Sequence, residues 1–439
     1  MSVSRFLRAR LCLALFALAA ASGAHAAPGD FLTPEFLLNP DHSGNQYSDL
    51  ASDAAGRILA IGEPMSGTTA DIAGRRYAAD GTSLGATLAL VPAGPRVVRF
   101  GSQALAMAAD GRFVIVYIAS IDRLLPARQA PYAVYAQRFG ADGTPTGAEI
   151  RVSEILSMPQ AAEPAVGISA AGDFVVAWVG FSELGLGSPF TPLATDGLES
   201  RVYSQRFTAD GRKRGGNEVL ARGFNYVLIK RTGSGANLAL SQTGSLHDAR
   251  IAGEADGDYA VAWNRNLPAP AFRQDIELRT YTADGAPRAP LRVIVQDLVQ
   301  APLQDLAALA DGFVAAWNVD GSPRLQRFAA DGSAAGTEFA FAGTAGRSGT
   351  AAIAAAADGT VLWAVTVADG VDAPDVAAQL FDAAGSPVGV PFTVHGLLAG
   401  TQDRPRVAVD GDGNFVVGWR YDAPGFGLAE LRARRVEGF

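Results

Sequence analysis

Histidines, acids and one serine are the first residues to weigh for chemistry. Four histidines occur in the 439-residue chain. His42, His247 and His395 lie far apart and show no His-Glu-x-x-His spacing, so a converging zinc set is not expected. Ser245, His247 and Asp248 supply the residue types of a nucleophile, a base and an orienting acid. No Gly-x-Ser-x-Gly elbow accompanies them, and no catalytic residue is assigned; His247 is read as a solvated loop residue. Asp410, Asp412 and Asn414 alternate like the first ligands of a calcium loop. The following glycine and the distal glutamate are missing, so a plain turn is expected, with no metal. No phosphate-cradling loop is present, and no cofactor is expected. The 44 acids are scattered through turns, where carboxylate pairs suited to a glycosidase arise by chance.

A second group of residues suits binding. Arg123, Arg128 and Tyr132 fall in or at the end of one irregular insertion, and Phe181 and Phe190 in a second. Phe224, Tyr226, Lys230 and Arg231 stand in a third, and Arg265, Phe272 and Arg273 in a fourth. Aromatics beside arginines can stack on sugar rings or bases and hold anionic groups. They could equally pack long loops onto the scaffold beneath.

What positions these insertions is a repeat. AVGISAAGDFVVAW, from Ala165 to Trp178, recurs as LAMAADGRFVIVY, IAGEADGDYAVAW, LAALADGFVAAW, IAAAADGTVLWAV and VAVDGDGNFVVGW, with a weaker first copy, LASDAAGRILAI. A second piece recurs beside it as GRRYAADG, YAQRFGADG, YSQRFTADG, LRTYTADG, LQRFAADG and AQLFDAAG. The FVVAW segments are short, β-branched and aromatic, as strands buried on both faces must be. Asp-Gly pairs supply the positive φ of tight hairpin turns. EIRVSE, from Glu149 to Glu154, alternates polar and apolar like a half-exposed strand. Each unit therefore reads as four antiparallel strands with two short hairpins.

Seven such units spaced about 60 residues apart predict an all-β, seven-bladed β-propeller. The last unit ends after its third strand at LRARRVEGF, and TPEFLLNP (33–40) is an orphan strand at the other end. Pairing the two would close the ring and leave no open sheet edge. The expected organisation is a signal peptide over 1–26 and one propeller over 27–439. Segment 33–40 serves blade 7, and the blades span 46–97, 98–155, 156–222, 223–295, 296–343, 344–396 and 397–439. Both hairpins of every blade then share one face. The long insertions crowd the opposite rim, where binding on a rigid scaffold is expected.

The units resemble those of bacterial extracytoplasmic propeller-like proteins carrying FVVAW and YAQRF-x-ADG repeats. Trp363 departs from the pattern, two positions before the usual aromatic. The resemblance implies export and says little about activity.

Bulk properties agree. Arg5, Arg8 and Arg10, the apolar LCLALFALAA and the small residues ending at Ala26 have the order of a secretory signal peptide. It carries the one cysteine, Cys12, so a secreted or periplasmic mature chain would rely on its core. Net charge is -8, and losing three arginines makes the mature chain more acidic still, which disfavours nucleic acid as partner. No membrane span is expected, and a monomer is. The repeated arginine of Arg76-Tyr77, Arg138-Phe139, Arg206-Phe207 and Arg327-Phe328 is too regular for a single site and is read as a tie between blades. The functional expectation is a non-catalytic propeller that binds a protein or glycan through its long-loop rim. The alternative is a glycan- or ester-cleaving hydrolase at the same mouth.

Overall fold

The computed structural model describes residues 26–38, 47–62, 70–94, 98–120, 132–154, 164–183, 198–224, 244–267, 273–299, 302–341, 349–367, 374–396, 399–423 and 429–439. These residues form seven four-stranded antiparallel sheets, arranged as a seven-bladed propeller. The inner strands are Tyr47–Ser52, Val98–Met107, Ala165–Ile168, Leu246–Gly253, Leu303–Leu309, Ala351–Ala355 and Thr401–Val409, for blades 1 to 7 in order. Each adjoins the inner strands of the blades before and after it, and that of blade 7 adjoins that of blade 1. No helix among the described residues is long and apolar enough to cross a membrane.

The N-terminal segment closes the ring as expected. Phe36 pairs with Ala433 and Leu37 with Arg432, so Phe36–Leu37 is the outer strand of blade 7. Leu38 donates its N–H to Leu431 O at 2.7 Å, and Leu32 donates to Arg435 O at 3.0 Å. Arg432 forms an ion pair with Glu35 at 3.3 Å.

Burial explains the strand composition. Each second strand is sandwiched between two neighbouring blades, and every residue of Phe113–Ser120 is buried. The apolar side chains form a cluster at every seam between blades, the seam between blade 7 and blade 1 included. Cross-strand rings stack within blades, Phe113 on Phe139 at 4.7 Å and Phe174 on Phe207 at 4.6 Å. Trp363 is displaced because it fills a different hole. It meets Phe341 edge-on at 5.1 Å in the seam between blades 5 and 6.

The repeated arginine does tie blades. Arg76 donates to Ala141 O at 3.1 Å, Arg138 to Ala209 O at 2.7 Å and Arg327 to Ala383 O at 2.6 Å. Each acceptor lies in the outer hairpin turn of the next blade. Arg435 repeats the bond across the closure, to Ala79 O at 3.3 Å. Blade 4 has Thr280 in this place, and there Arg292, from its outer strand, donates to Asp331 O at 2.9 Å in blade 5. Arg206 packs against Gly285, which has φ +86; a Cβ there would overlap the guanidinium.

The preceding glutamine has its own task. The third and fourth strands slip register beside it, as between Ser204 and Arg206. Gln205 Nε2 donates to Arg206 O at 3.0 Å and Gly215 O at 3.2 Å, filling the gap with hydrogen bonds. Gln137, Gln326 and Gln379 do the same in their blades. A β-bulge leaves backbone groups without ladder partners, and a buried amide replaces them.

Candidate functional site: the axial chamber

The inner strands enclose a chamber on the ring axis with a volume of about 680 Å³. Its wall residues come from the first half or the middle of each inner strand. Each inner strand begins where the link from the preceding blade arrives, so the chamber lies toward the face that carries the long links.

One tier of the wall can be traced through the repeat. At a single fixed spacing before the turn glycine stand Asp49, Ala104, Ala165, Arg250, Asp305, Ala352 and Arg406, in blade order. The charges fall in neighbouring blades as two Arg–Asp couples. Arg406 and Asp49 belong to blades 7 and 1, and Arg250 and Asp305 to blades 4 and 5. The couples stand on opposite sides of the axis, with alanines between them.

An inner strand is a sheet edge, and its axis-facing backbone groups need partners. The aspartates supply them. Asp49 accepts the Leu105 N–H of blade 2 at 2.8 Å, and Asp305 accepts the Ile353 N–H of blade 6 at 2.9 Å. Arg250 Nε donates to Gln304 O of blade 5 at 2.9 Å. Burial pushes the Asp49 carboxyl above the usual carboxylate range, against the pull of Arg406 and two backbone N–H donors. Burial does the same to Asp305, against the Ile353 N–H and Arg250. Arg406 Nε stands 3.9 Å from Asp49 Oδ1, an ion pair without a hydrogen bond. Arg404 joins the wall from a bulge in blade 7, where its φ is 51°.

Gln103 differs from these groups. It lines the chamber at 7 % exposure, and neither its amide oxygen nor its amide nitrogen has a hydrogen-bond partner among the described residues. A buried, unpaired amide costs about 1–3 kcal/mol.

The residues singled out for chemistry have other roles. His247 Nδ1 lies 2.6 Å from Asp248 Oδ2, and Nε2 lies 2.9 Å from Asn266 Oδ1. Both ring nitrogens face oxygen acceptors, an arrangement that suits the doubly protonated imidazolium. Burial opposes that charge, but Asp248 and Asn266 outweigh it and raise the pKa. Ser245 Oγ accepts from Asn266 Nδ2 at 3.0 Å, so an amide stands between serine and histidine and no triad forms. His247 is thus half-buried and locked into a network, not the solvated residue expected. His395 is buried, and its Nε2 accepts the Val376 N–H at 3.3 Å. His42 lies outside the described residues.

The turn Asp410 to Asn414 is a plain one. Asp410 Oδ1 accepts the N–H groups of Asp412 at 3.0 Å and Asn414 at 2.9 Å, while Oδ2 takes Arg435. Glu254, Asp256 and Asp258 gather closely in the matching turn of blade 4. Arg288 already bonds Glu254, at 3.4 Å, and Asp258, supplying the positive charge that trio calls for.

Of the rim candidates, Arg123, Arg128, Phe190, Tyr226, Lys230, Arg231 and Phe272 lie outside the described residues. Phe181 and Phe224 sit on strand backbone at the ends of Phe174–Glu183 and Lys213–Phe224. Tyr132 is a packing residue, 6 % exposed in the seam between blades 2 and 3. Arg265 donates to Glu277 at 2.7 and 2.9 Å, and Glu277 also accepts from Trp263. Arg273 pairs with Asp297 across two strands of blade 4 at 2.7 Å. These three side chains make contacts within the scaffold. The chamber was not foreseen from sequence, though a charged residue standing where other repeats place alanine was a legible sign of it.

No protein-family model and no curated protein sequence matches the chain. Among solved structures the chain is similar to a polysaccharide lyase described as an ulvan lyase, at 10 % identity and TM-score 0.49, covering 89 % of this chain and 94 % of that one. It is similar to phage phi92 endosialidase at 10 % identity and TM-score 0.48, covering 94 % and 69 %. It is also similar to a protein of unknown function from Dyadobacter fermentans at 11 % identity and TM-score 0.47, covering 77 % and 94 %. Likeness at this level carries no activity from one protein to another.

Proposed function

We propose that the chain is an exported, non-catalytic propeller that binds a glycan at the mouth of its axial chamber. The observation that carries this reading is the chamber itself. It has the size of a ligand pocket and a wall of guanidinium, carboxylate and amide groups separated by small residues. Hydroxyl-rich ligands need such a mixture of donors and acceptors. Binding without catalysis fits the described residues, in which the one serine–histidine–aspartate grouping is locked by Asn266. A glycan array probed with the chain from Ala27 onward tests the reading. Retention of at least one glycan is expected, and Ala104→Phe, which adds a ring at a wall position of the chamber beside the seam between blades 2 and 3, should abolish it while the circular dichroism spectrum stays that of the wild type. No retained glycan, or retention unaffected by that ring, overturns the reading. Export predicts that the protein recovered from the envelope or medium begins at Ala27, which intact-mass measurement checks.

A second reading, a glycan hydrolase at the same mouth, draws on Asp49 and Asp305. Two carboxyls held above their usual range face one axis, and a glycosidase needs one such acid beside an ionised partner. Release of reducing sugar by the wild type, lost in Asp305→Asn, would favour it. Their bonds to the next blade's backbone favour the structural role.

A further inference from the structure

We propose that the closure of the ring is built to receive the processed chain end: cleavage after Ala26 turns the Ala27 nitrogen into an ammonium group, and Asp30 is its counter-ion. This rests on the export part of the reading above and adds to it a binding site for the new terminus.

The first support is a turn placed directly after the cleavage point. Ala27-Pro28-Gly29-Asp30 has proline second, which presets φ, and glycine third, which permits the positive φ of a type II turn. The structure has that turn. Gly29 has φ 90°, and the Asp30 N–H donates to Ala27 O at 2.9 Å. The chain reversal brings the Asp30 side chain back over the first residue, and the Ala27 N–H donates to Asp30 Oδ2 at 2.8 Å. In the uncleaved chain that nitrogen is a neutral amide. A peptidase adds water across the Ala26–Ala27 bond, so that Ala26 leaves as a carboxylate and Ala27 keeps a protonated amine. The same contact then joins an ammonium to a carboxylate, a stronger bond than the amide makes.

The second support is that the turn is fastened to two blades. On blade 7, Gly29 donates its N–H to Glu437 O at 3.0 Å, Glu437 donates to Asp30 O at 2.8 Å, and Phe31 bridges to Val436. On blade 6, a Cβ added to Gly29 would stand 3.6 Å from Leu380, and Phe31 meets Phe392 edge-on at 6.0 Å. The new terminus is thereby held where the closing segment enters the ring. The arginines of the adjoining strand are engaged elsewhere. Arg434 lies over the Phe31 ring at 3.6 Å and donates to Thr33 O, while Arg435 pairs with Asp410. Glu437 is the rival acid beside the turn. Ala27 and Asp30 are both exposed, so their pair adds little to global stability and shows instead in the chemistry of the amine.

Acylation of the terminal amine by a succinimidyl ester tests the proposal. Intact mass of the exported chain comes first, and a terminus other than Ala27 overturns the export reading itself. The labelling is then read on the terminal peptide, which is easily resolved because Lys213 and Lys230 are the only lysines. The pH dependence of the rate gives the pKa of the amine, which should lie above the ordinary value of about 7.7–8.0. The pair is therefore present below that value and fades as pH rises through the raised one. Asp30→Asn should return the amine to its ordinary value and speed labelling at pH 7 by about threefold at low salt, a gap that 1 M salt should narrow. A chain with one glycine added ahead of Ala27 moves the amine off Asp30 and should label like Asp30→Asn. Glu437→Gln should change nothing. Equal rates in wild type and Asp30→Asn overturn the proposal with the export reading intact, and so does a shift that Glu437→Gln alone produces. A lower Tm in Asp30→Asn with unchanged labelling assigns Asp30 to the turn alone and overturns it too.

Discussion

Single residues carry more of this fold than their surface chemistry suggests. Gln205 bridges a register slip by donating to the carbonyls of Arg206, Arg214 and Gly215. Gln205→Leu keeps the volume and removes both donors, so unfolding should become easier by about 1–3 kcal/mol in denaturant titration. His247 gives a pH signature. Its pKa is raised because the Asp248 and Asn266 contacts outweigh burial. The stabilisation is therefore fully present below the ordinary histidine value and fades as pH rises through the raised one. The Tm difference between wild type and His247→Gln should be largest near pH 5 and shrink at alkaline pH. A constant difference across that range would show that the ring contributes by packing alone.

Elements depend on ties to their neighbours. Arg138 in blade 2 reaches Ala209 O in blade 3 at 2.7 Å. Arg138→Ala should cost about 1–3 kcal/mol in thermal or denaturant unfolding, and Arg138→Lys should recover only part of it. Among the described residues the strand Phe36–Leu37 is the outer strand of blade 7, and Phe36 leans on Tyr77 of blade 1 at 5.8 Å. A chain begun after Leu38 should expose the edge Ala429–Val436 and aggregate, as light scattering would detect. Much of this level was legible in sequence. Asp-Gly turns and FVVAW runs are local signals, and the arginine's regular recurrence pointed to the blade tie. The glutamine role was hidden, because a bulge depends on how the fourth strand pairs, and Gln-Arg-Phe alone reads as ordinary strand. Trp363 broke the pattern for a packing reason that only the Phe341 contact reveals.

The whole molecule makes neighbours of residues that the chain keeps apart. Asp49 and Arg406 come from opposite ends of the sequence and meet only because the ring closes. The chamber was therefore invisible to a reading of insertions, which drew notice to Tyr132, Arg265 and Arg273 instead. Tyr132 lies in packing and Arg265 and Arg273 in ion pairs, while the axis collects the charges of Asp49, Arg250, Asp305 and Arg406. Hydrogen–deuterium exchange with and without a saturating concentration of a glycan retained on the array tests most directly whether the axis is where ligand binds. The account predicts slower exchange in Val98–Met107, Leu246–Gly253 and Thr401–Val409, with the outer hairpin turns unchanged. Protection confined to those turns or to outer strands, with the inner strands unaffected, would contradict it.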